Sequence, residues 1–179
     1  MSQLTAYQKF IQVALKYGFS LFGLPKSGQI IEYQSGDDGH YQKGYPKTGA
    51  RFTDNLDGTI SDLATGLMWP KDANGAGCNN GATLIWGDAI IWAEGLSFAG
   101  HGDWRLPNVK ELMSIIDYGR YNPAIDPVFT NIRSLLFWSS TTYHNGTTSA
   151  FRVSFSTGGV SYTSKSLTGT YVWAVRGGR

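Results

Sequence analysis

Cysteine is nearly absent from this sequence: the 179 residues include one, Cys78. A single thiol excludes an internal disulfide framework and a multi-cysteine zinc site, so we interpret Cys78 as a structural or incidental thiol, not a reactive one. Long apolar runs are also missing. No stretch reaches the ~18–20 apolar residues that a membrane-spanning helix needs. The N-terminus lacks the basic start and continuous apolar segment of a secretory signal. We therefore expect neither membrane insertion nor a signal peptide.

Charge is scarce, and acidic charge is unevenly placed. Charged residues form 16% of the chain and the formal net charge is +2. A nucleic-acid-binding protein typically has a much larger basic excess, so we predict no nucleic-acid partner. All 13 acidic residues lie at or before Asp126, and the rest of the chain has only basic charges: Arg133, Arg152, Lys165, Arg176 and Arg179. This absence suits either a sparsely charged strand region or a binding face, because unmatched carboxylates are costly to desolvate.

The segment from Ser139 to Thr170 has an unusual composition. About half of its residues are Ser or Thr, and most of the others are Gly, aromatic or β-branched. This composition favours strands and exposed loops over helix. Aromatic rings and small hydroxyls are also typical of adaptable recognition surfaces. We therefore predict a ligand-binding face here, with an ordinary Ser/Thr-rich strand region as the alternative.

Three parts can be distinguished along the chain. Apolar residues at helical spacing predict an amphipathic helix over residues 4–17, within an N-terminal segment 1–22. This helix packs either on its own chain or on copies of itself, since alone it would be marginal in water. Residues 23–50 are punctuated by Gly, Pro and Lys and predict a connector with one short strand at 30–33. Residues 51–179 form the expected ligand-binding domain.

The domain 51–179 shows a mixed pattern of strands and helices. A hairpin is expected first, with Asp57-Gly58 supplying the positive φ of its turn. One helix is predicted over 84–98, and a second begins at Asn108 with a capping box to Glu111 and ends near 119. Strands are predicted at 136–140, 150–155, 159–163 and 171–176. The order favours an α+β domain with an antiparallel sheet and a loop-rich C-terminal half.

Candidate catalytic and metal-binding groups are few. His40, His101 and His144 lie in separate Gly-rich loops, and no nucleophile has a neighbouring base in the sequence. Acids between Asp54 and Asp62 are typical of an oxygen-ligand calcium loop, yet the spacing lacks the EF-hand pattern and its terminal Glu. Asp and Asn also favour turns. We predict a protein that is not an enzyme, with no cofactor and no metal. The tryptophans are interpreted as core residues: Trp69, Trp86, Trp92, Trp104, Trp138 and Trp173.

Several short motifs occur together between about residues 23 and 178. They include Arg51-Phe52-Thr53-Asp54-Asn55, Thr65-Gly66-Leu67-Met68-Trp69, Asp103-Trp104-Arg105-Leu106-Pro107-Asn108, Trp138-Ser139-Ser140-Thr141-Thr142 and Val172-Trp173-Ala174-Val175-Arg176. Jointly they resemble the Lcl C-terminal-domain family, found at the end of a bacterial collagen-like adhesin and in many surface proteins. The resemblance implies a C-type lectin-like fold and a role in binding, including binding of sulfated glycosaminoglycans.

The same fold carries the variable proteins of diversity-generating retroelements, among them a phage tail receptor-binding protein. In those proteins adenine-directed mutagenesis rewrites a C-terminal ligand face. By this resemblance the inward frame would be Val153, Phe155 and Val160. The diversified positions would be Tyr143, His144, Thr147, Phe151, Arg152, Ser154, Ser161, Tyr162, Thr163, Ser164, Leu167 and Thr168. Adenine substitution in an Asn codon cannot give Glu, Gln, Lys, Met or Trp, and of these only Lys165 occurs between 139 and 172.

Two functional hypotheses follow. The first is a binding module with a diversified C-terminal face, displayed on a virus particle or cell surface and directed at a protein or glycan ligand on a target surface. Its N-terminal helix would serve homo-oligomer formation or virion assembly. The second is a fixed adhesin that binds sulfated glycans through the five basic residues after Asp126. A structural role in a virion is a third, weaker hypothesis.

Overall fold

The computed structural model describes residues 24–46, 51–132 and 136–177. The predicted helix over 4–17 lies outside the described residues. Within them the architecture is α+β, as predicted. The helices are α1 (Asp38–Tyr41), α2 (Trp86–Glu94) and α3 (Val109–Ser114), with a 3-10 segment at Ala76–Gly81. The strands are β1 (Phe52–Asp54), β2 (Thr59–Asp62), β3 (Leu67–Pro70), β4 (Thr83–Leu84), β5 (Leu136–Thr142), β6 (Ser149–Ser154), β7 (Val160–Ser164), β8 (Thr170–Tyr171) and β9 (Arg176–Gly177).

The predicted strand at 30–33 is wrong, and a side-chain-capped turn occupies its place. The Asp37 carboxylate accepts hydrogen bonds from the backbone N–H of Tyr33 and of His40, each at 2.9 Å. Local bonds of this kind compete with strand formation. They also hold the pKa of Asp37 below its usual value, with the bond from the Tyr33 N–H the largest cause. Ile30 and Ile31 are therefore left exposed instead of buried in a sheet.

The first sheet has the strand order β1-β2-β3-β9 and is antiparallel throughout. The predicted hairpin is confirmed as β1 and β2, in which Phe52 lies opposite Asp62. Its turn differs from the prediction in one detail. The positive φ values are at Leu56 (63°) and Gly58 (92°), not at Asp57. The Asp57 carboxylate instead accepts from the Thr59 N–H at 2.9 Å and closes the turn.

The second sheet has the order β4-β8-β5-β6-β7. Strands β5, β6 and β7 confirm three of the predicted strands within two residues at each end. The predicted strand at 171–176 is wrong, because it is divided between the two sheets. Its start, β8, pairs with β4 and β5 in the second sheet, and its end, β9, pairs with β3 in the first. The four residues between, Val172 to Val175, are fully buried.

Both helices of the domain are shorter than predicted. Helix α2 ends at Glu94 because Gly95 follows, and Thr83-Leu84 pairs with β8 instead of joining the helix. Helix α3 begins with the predicted capping box between Asn108 and Glu111. It stops at Ser114, since Ile116 forms a bridge with Ile125. Among the described residues no helix is long and apolar enough to span a membrane.

The larger core is organised around the ring of Trp173. Four aromatic rings lie around it, with centroid distances of 5.3 Å for Phe155, 5.5 Å for Phe129 and Phe137, and 6.1 Å for Trp69. Because Trp69 belongs to the first sheet and Phe137 to the second, Trp173 connects the two. The indole Nε1 donates to the Pro70 carbonyl at 3.0 Å, so the buried N–H has a partner.

The tryptophan predictions are confirmed for four of the six. Trp69, Trp104, Trp138 and Trp173 are fully buried. Trp86 and Trp92, on α2, are half-buried and pack against a smaller core. That core is formed by Ala89, Ala93, Leu106, Trp138, Ala150 and Val172, and it lies between α2 and the second sheet.

A buried ion pair joins the start of the domain to its helical part. The Arg51 guanidinium donates through Nε and Nη2 to both Asp62 oxygens, at 2.8 and 2.6 Å, and neither side chain has any solvent exposure. Nη2 also donates to the Ser114 carbonyl at 2.9 Å. A pair of this kind is costly to break, because the remaining charge stays buried without its partner.

Replacing Asp62 with Ala should therefore lower the free energy of unfolding by about 3–5 kcal/mol. Urea denaturation followed by tryptophan fluorescence measures this change. The control is Glu94→Gln at the exposed end of α2, which should change stability by less than about 0.5 kcal/mol. Equal effects of the two substitutions would contradict a stabilising role for the pair.

Candidate functional site

Three aromatic residues from the predicted binding segment form one cluster on the second sheet. The rings of Tyr143 and Tyr162 stack with centroids 4.0 Å apart and an interplanar angle of 9°. Phe151 meets Tyr143 edge-on at 5.6 Å and 87°. We call Tyr143, Phe151 and Tyr162 the aromatic cluster. It forms because Phe151 on β6 lies directly opposite Tyr162 on β7, and opposed residues of antiparallel strands share a face.

A second group of side chains lies on the opposite face of the same strands. Arg152 is opposite Ser161, and its Nε donates to the Ser161 hydroxyl at 3.2 Å. Because side chains alternate along a strand, Arg152 and Ser161 point away from the face of Phe151 and Tyr162. Thr163 shares their face, and Lys165 follows two residues later. We call Arg152, Ser161, Thr163 and Lys165 the cationic face.

Lys165 is held in place by a tryptophan that is distant in sequence. Its Nζ lies 4.0 Å from the centroid of the Trp86 ring and donates to the Thr142 hydroxyl at 2.8 Å. Trp86 is itself fixed, since its Nε1 donates to the Ser139 carbonyl at 2.8 Å. A cation over a tryptophan face is attracted by the ring quadrupole. From the sequence Trp86 was interpreted as a core residue. Its contact with Lys165 was not predicted, because nothing in the neighbouring sequence indicates it.

The two cations of this surface have no carboxylate partner among the described residues, whereas Arg176 has one. The Arg176 guanidinium donates to both oxygens of Asp103 at 2.6 and 3.1 Å. This hydrogen bond is also the main reason why the pKa of Asp103 lies below its usual value. Of the five basic residues after Asp126, Arg133 and Arg179 lie outside the described residues. Arg152 and Lys165 are therefore the described cations of this set that are not neutralised by an acid.

None of the twelve predicted binding residues is buried. Five are exposed: His144, Thr147, Tyr162, Leu167 and Thr168. Seven are half-buried: Tyr143, Phe151, Arg152, Ser154, Ser161, Thr163 and Ser164. The residues on β6 and β7 divide between the two faces of the sheet instead of sharing one.

The predicted inward frame is confirmed in two of its three residues. Val153 and Phe155 have no solvent exposure and belong to the larger core. The prediction for Val160 is wrong, because this side chain is 40% exposed. Although Val160 lies opposite Val153, it sits at the end of the outermost strand, where the core does not extend.

The acids considered for a calcium loop each have a partner within the chain. Asp54 accepts from the Lys71 Nζ at 2.6 Å, and this hydrogen bond is the main cause that lowers the pKa of Asp54. Asp57 closes the hairpin turn, and Asp62 faces Arg51. In the described ranges no group of three or more His, Cys, Asp or Glu residues could hold a metal ion.

The remaining candidate reactive groups are separated from one another. Burial raises the pKa of the Cys78 thiol well above its usual value, so the thiol stays protonated. His40 lies 3.0 Å from the Glu32 carboxylate. His101 packs near Trp104, and His144 packs against Tyr143.

Two sheets joined through Trp173, with a polar and aromatic surface on the second, define a small α+β domain whose distinctive feature is that surface. The family described as Lcl C-terminal domain matches residues 58–176, about two thirds of the chain. The chain belongs to this family, which confirms the resemblance seen in the sequence motifs. Membership is compatible with a binding or adhesion module. A comparison with the curated proteins gives no match.

The contact between Lys165 and Trp86 can be tested by comparing two tryptophans on α2. Trp86→Leu should lower the free energy of unfolding by about 1–3 kcal/mol more than Trp92→Leu, because it removes a cation–π contact and a hydrogen bond. Urea denaturation gives the difference. In nuclear magnetic resonance spectra, the ring-current shift of the Lys165 ε-protons should disappear only in Trp86→Leu. A retained shift would contradict the contact.

Proposed function

We propose that this protein is a non-enzymatic recognition module with a C-type lectin-like fold, displayed on a virus particle or cell surface. Its ligand is a protein or glycan on a target surface, and side chains between residues 139 and 170 are diversified by a retroelement. The observation that carries the proposal is that none of the twelve candidate side chains is buried, although Ala150, Val153 and Phe155 in the same segment are fully buried. Outside the described residues, the segment 1–22 would connect the module to copies of itself or to a virion.

The backbone of this surface depends little on the side chains that it presents. Strands β6 and β7 pair through five consecutive residues without a register shift, and those bonds are made by the main chain. Val153 in β6 and Phe155 directly after it are buried in the larger core and hold this strand in place. Exchange of the exposed side chains should therefore leave the fold in place, as a diversified binding surface requires.

Lys165 gives separate support for the diversification proposal, through the residue types that adenine substitution can produce. It is the residue of the segment that adenine substitution in an Asn codon cannot produce, so it should be a fixed position. A fixed position is expected to have a structural role, and Lys165 contacts both Trp86 and Thr142. The proposed variable residues His144, Thr147 and Thr168, by contrast, are exposed.

Combined substitution of the exposed positions tests the separation of frame and surface. A library varied at His144, Thr147, Tyr162, Leu167 and Thr168 should retain cooperative unfolding, with each substitution contributing within about 0.5 kcal/mol, except at Tyr162, where loss of the stacked ring should cost about 0.5–1.5 kcal/mol. Phe155→Ala, in the frame, should instead cost about 3–5 kcal/mol. Binding of library members to arrayed proteins and glycans should change with the exposed residues.

The DNA around the gene decides whether diversification occurs. A reverse transcriptase gene and a near-identical template repeat covering the codons of residues 139–170 are expected nearby. Absence of both would contradict diversification. A library that unfolds as readily as Phe155→Ala would contradict the exchangeable surface itself.

A second candidate function is a fixed adhesin for sulfated glycans. The observation that favours it is the pair of cations, Arg152 and Lys165, that no carboxylate neutralises among the described residues. Arg176 would contribute less, because Asp103 occupies its guanidinium. Sulfate groups would meet the free cations at a surface that repels few anions.

Heparin affinity distinguishes this candidate. If the cationic face binds sulfated glycans, Arg152→Gln should elute from a heparin column at lower salt, since exposed ion pairs are screened by salt. Asp103→Asn should elute at higher salt, because it frees Arg176. Elution that is insensitive to salt, or unchanged in both variants, would contradict the adhesin function.

A further inference from the structure

The outer edge of β7 is the place where the second sheet can accept another strand. In the order β4-β8-β5-β6-β7, the strands of the described residues give β7 a neighbour on one side only. The backbone hydrogen bonds between β7 and β6 show which N–H and C=O groups of β7 face outward. Lys165 N–H donates to the Thr148 carbonyl at 2.9 Å, and Ser154 N–H donates to the Gly159 carbonyl at 2.8 Å. Residues 159, 161, 163 and 165 therefore direct their backbone groups to β6, since bonded pairs alternate in an antiparallel ladder.

The alternate residues Val160, Tyr162 and Ser164 consequently direct their N–H and C=O groups away from β6. Among the described residues, Leu167 N–H donates to the Ser164 carbonyl at 3.1 Å, and no strand covers the rest of this edge. Val160 is 40% exposed and Tyr162 is 53% exposed, so the side chains leave the edge accessible as well.

This edge lacks the features by which proteins block strand addition. Proline, charged side chains, bulges and short length are the usual protections. Val160–Ser164 contains neither proline nor a charged residue, and its pairing with β6 is regular over five residues. An unprotected edge beside the proposed binding surface points to use of its main chain in recognition.

The two faces beside the edge indicate which strand would fit. A strand laid antiparallel against β7 would place every second side chain beside Tyr162 and the aromatic cluster. Its other side chains would lie beside Ser161 and Thr163, on the face that carries Arg152 and Lys165. Those cations have no carboxylate partner among the described residues, and the segment itself supplies no acid. Charge complementarity therefore favours carboxylates at the second set of positions.

We propose that β7 binds an extended acidic peptide segment as an additional antiparallel strand. Main-chain bonds to Val160, Tyr162 and Ser164 supply affinity, as in other cases of strand addition. Alternate apolar and acidic side chains supply specificity through the aromatic cluster and the cationic face. This inference rests on the proposed function and names its ligand class.

A short synthetic probe tests the arrangement directly. The peptide acetyl-Val-Glu-Val-Glu-Val-amide, labelled with a fluorophore, should bind saturably in fluorescence anisotropy below about 1 mM, which corresponds to about −4 kcal/mol. In antiparallel pairing the residues opposite Val160, Tyr162 and Ser164 share their face and direct their N–H groups to β7. N-methylation of the valines should therefore weaken binding at least about tenfold, because each methyl removes one such hydrogen bond. N-methylation of the glutamates, whose N–H groups face solvent, should weaken it less than about threefold.

A matched pair of protein variants tests the same edge by changing β7 instead of the peptide. Tyr162→Pro removes the outward N–H, which β6 does not use, and proline is tolerated on edge strands. Tyr162→Ala removes the same ring but keeps the N–H. The proline variant should bind the probe at least about fivefold more weakly than the alanine variant, with equal circular dichroism in both. Arg152→Gln should weaken binding about two- to fivefold, as expected for one exposed ion pair.

Three results would overturn the proposal. The first is no saturable binding of the probe, and the second is equal binding of both N-methylated peptides. The third is a dimer in sedimentation that persists in Tyr162→Ala and is lost in Tyr162→Pro, which would assign the edge to a second copy of the chain. Each of these leaves the exchangeable surface standing if the side-chain library still folds and binds arrayed ligands. The two proposals can therefore fail separately.

Discussion

The packing of aromatic rings around Trp173 is the constraint on which the rest of the structure depends. Its ring touches Trp69 from the first sheet and Phe137 from the second, and its N–H bonds the Pro70 carbonyl. Removal of this one side chain would leave a cavity at the centre of the core that residues of both sheets share. Large rings bury much surface at low entropy cost, which suits a domain with short helices and many turns. Val153 and Phe155 connect the proposed binding surface to this core.

The surface itself combines three chemistries on adjacent strands. Stacked rings offer apolar area, hydroxyls offer adaptable hydrogen bonds, and Arg152 and Lys165 offer charge that no acid of the described residues neutralises. The proposed preference for ligands that carry negative groups rests on the absence of acidic residues after Asp126. Buried and accessible side chains alternate irregularly along β6: Ala150 and Val153 are fully buried on opposite faces, while Phe151 and Arg152 remain half-buried.

Sequence patterns predicted what depends on neighbouring residues and failed where distant partners decide. The hairpin and the Asn108–Glu111 capping box were predictable because all their bonds lie within a few residues. The division of 171–176 between two sheets was not, since it depends on strands contributed by Thr83 and Leu67. Composition selected a segment whose candidate side chains are accessible to solvent. It could not predict that alternating positions fall on two faces, that Val160 sits beyond the core, or that Trp86 supports Lys165.

One further consequence follows from the register of β5 and β8. Phe137 lies beside Tyr171 in a parallel bridge, so the two ends of the stretch between them lie side by side. The core thus already holds the two ends of the intervening stretch together. Loop-closure entropy grows only slowly with length, about 0.6 kcal/mol for each doubling. Within this interval Trp138, Val153 and Phe155 are buried in the two cores and must be kept, so the part that can consequently be lengthened, shortened or exchanged is the turn between β5 and β6.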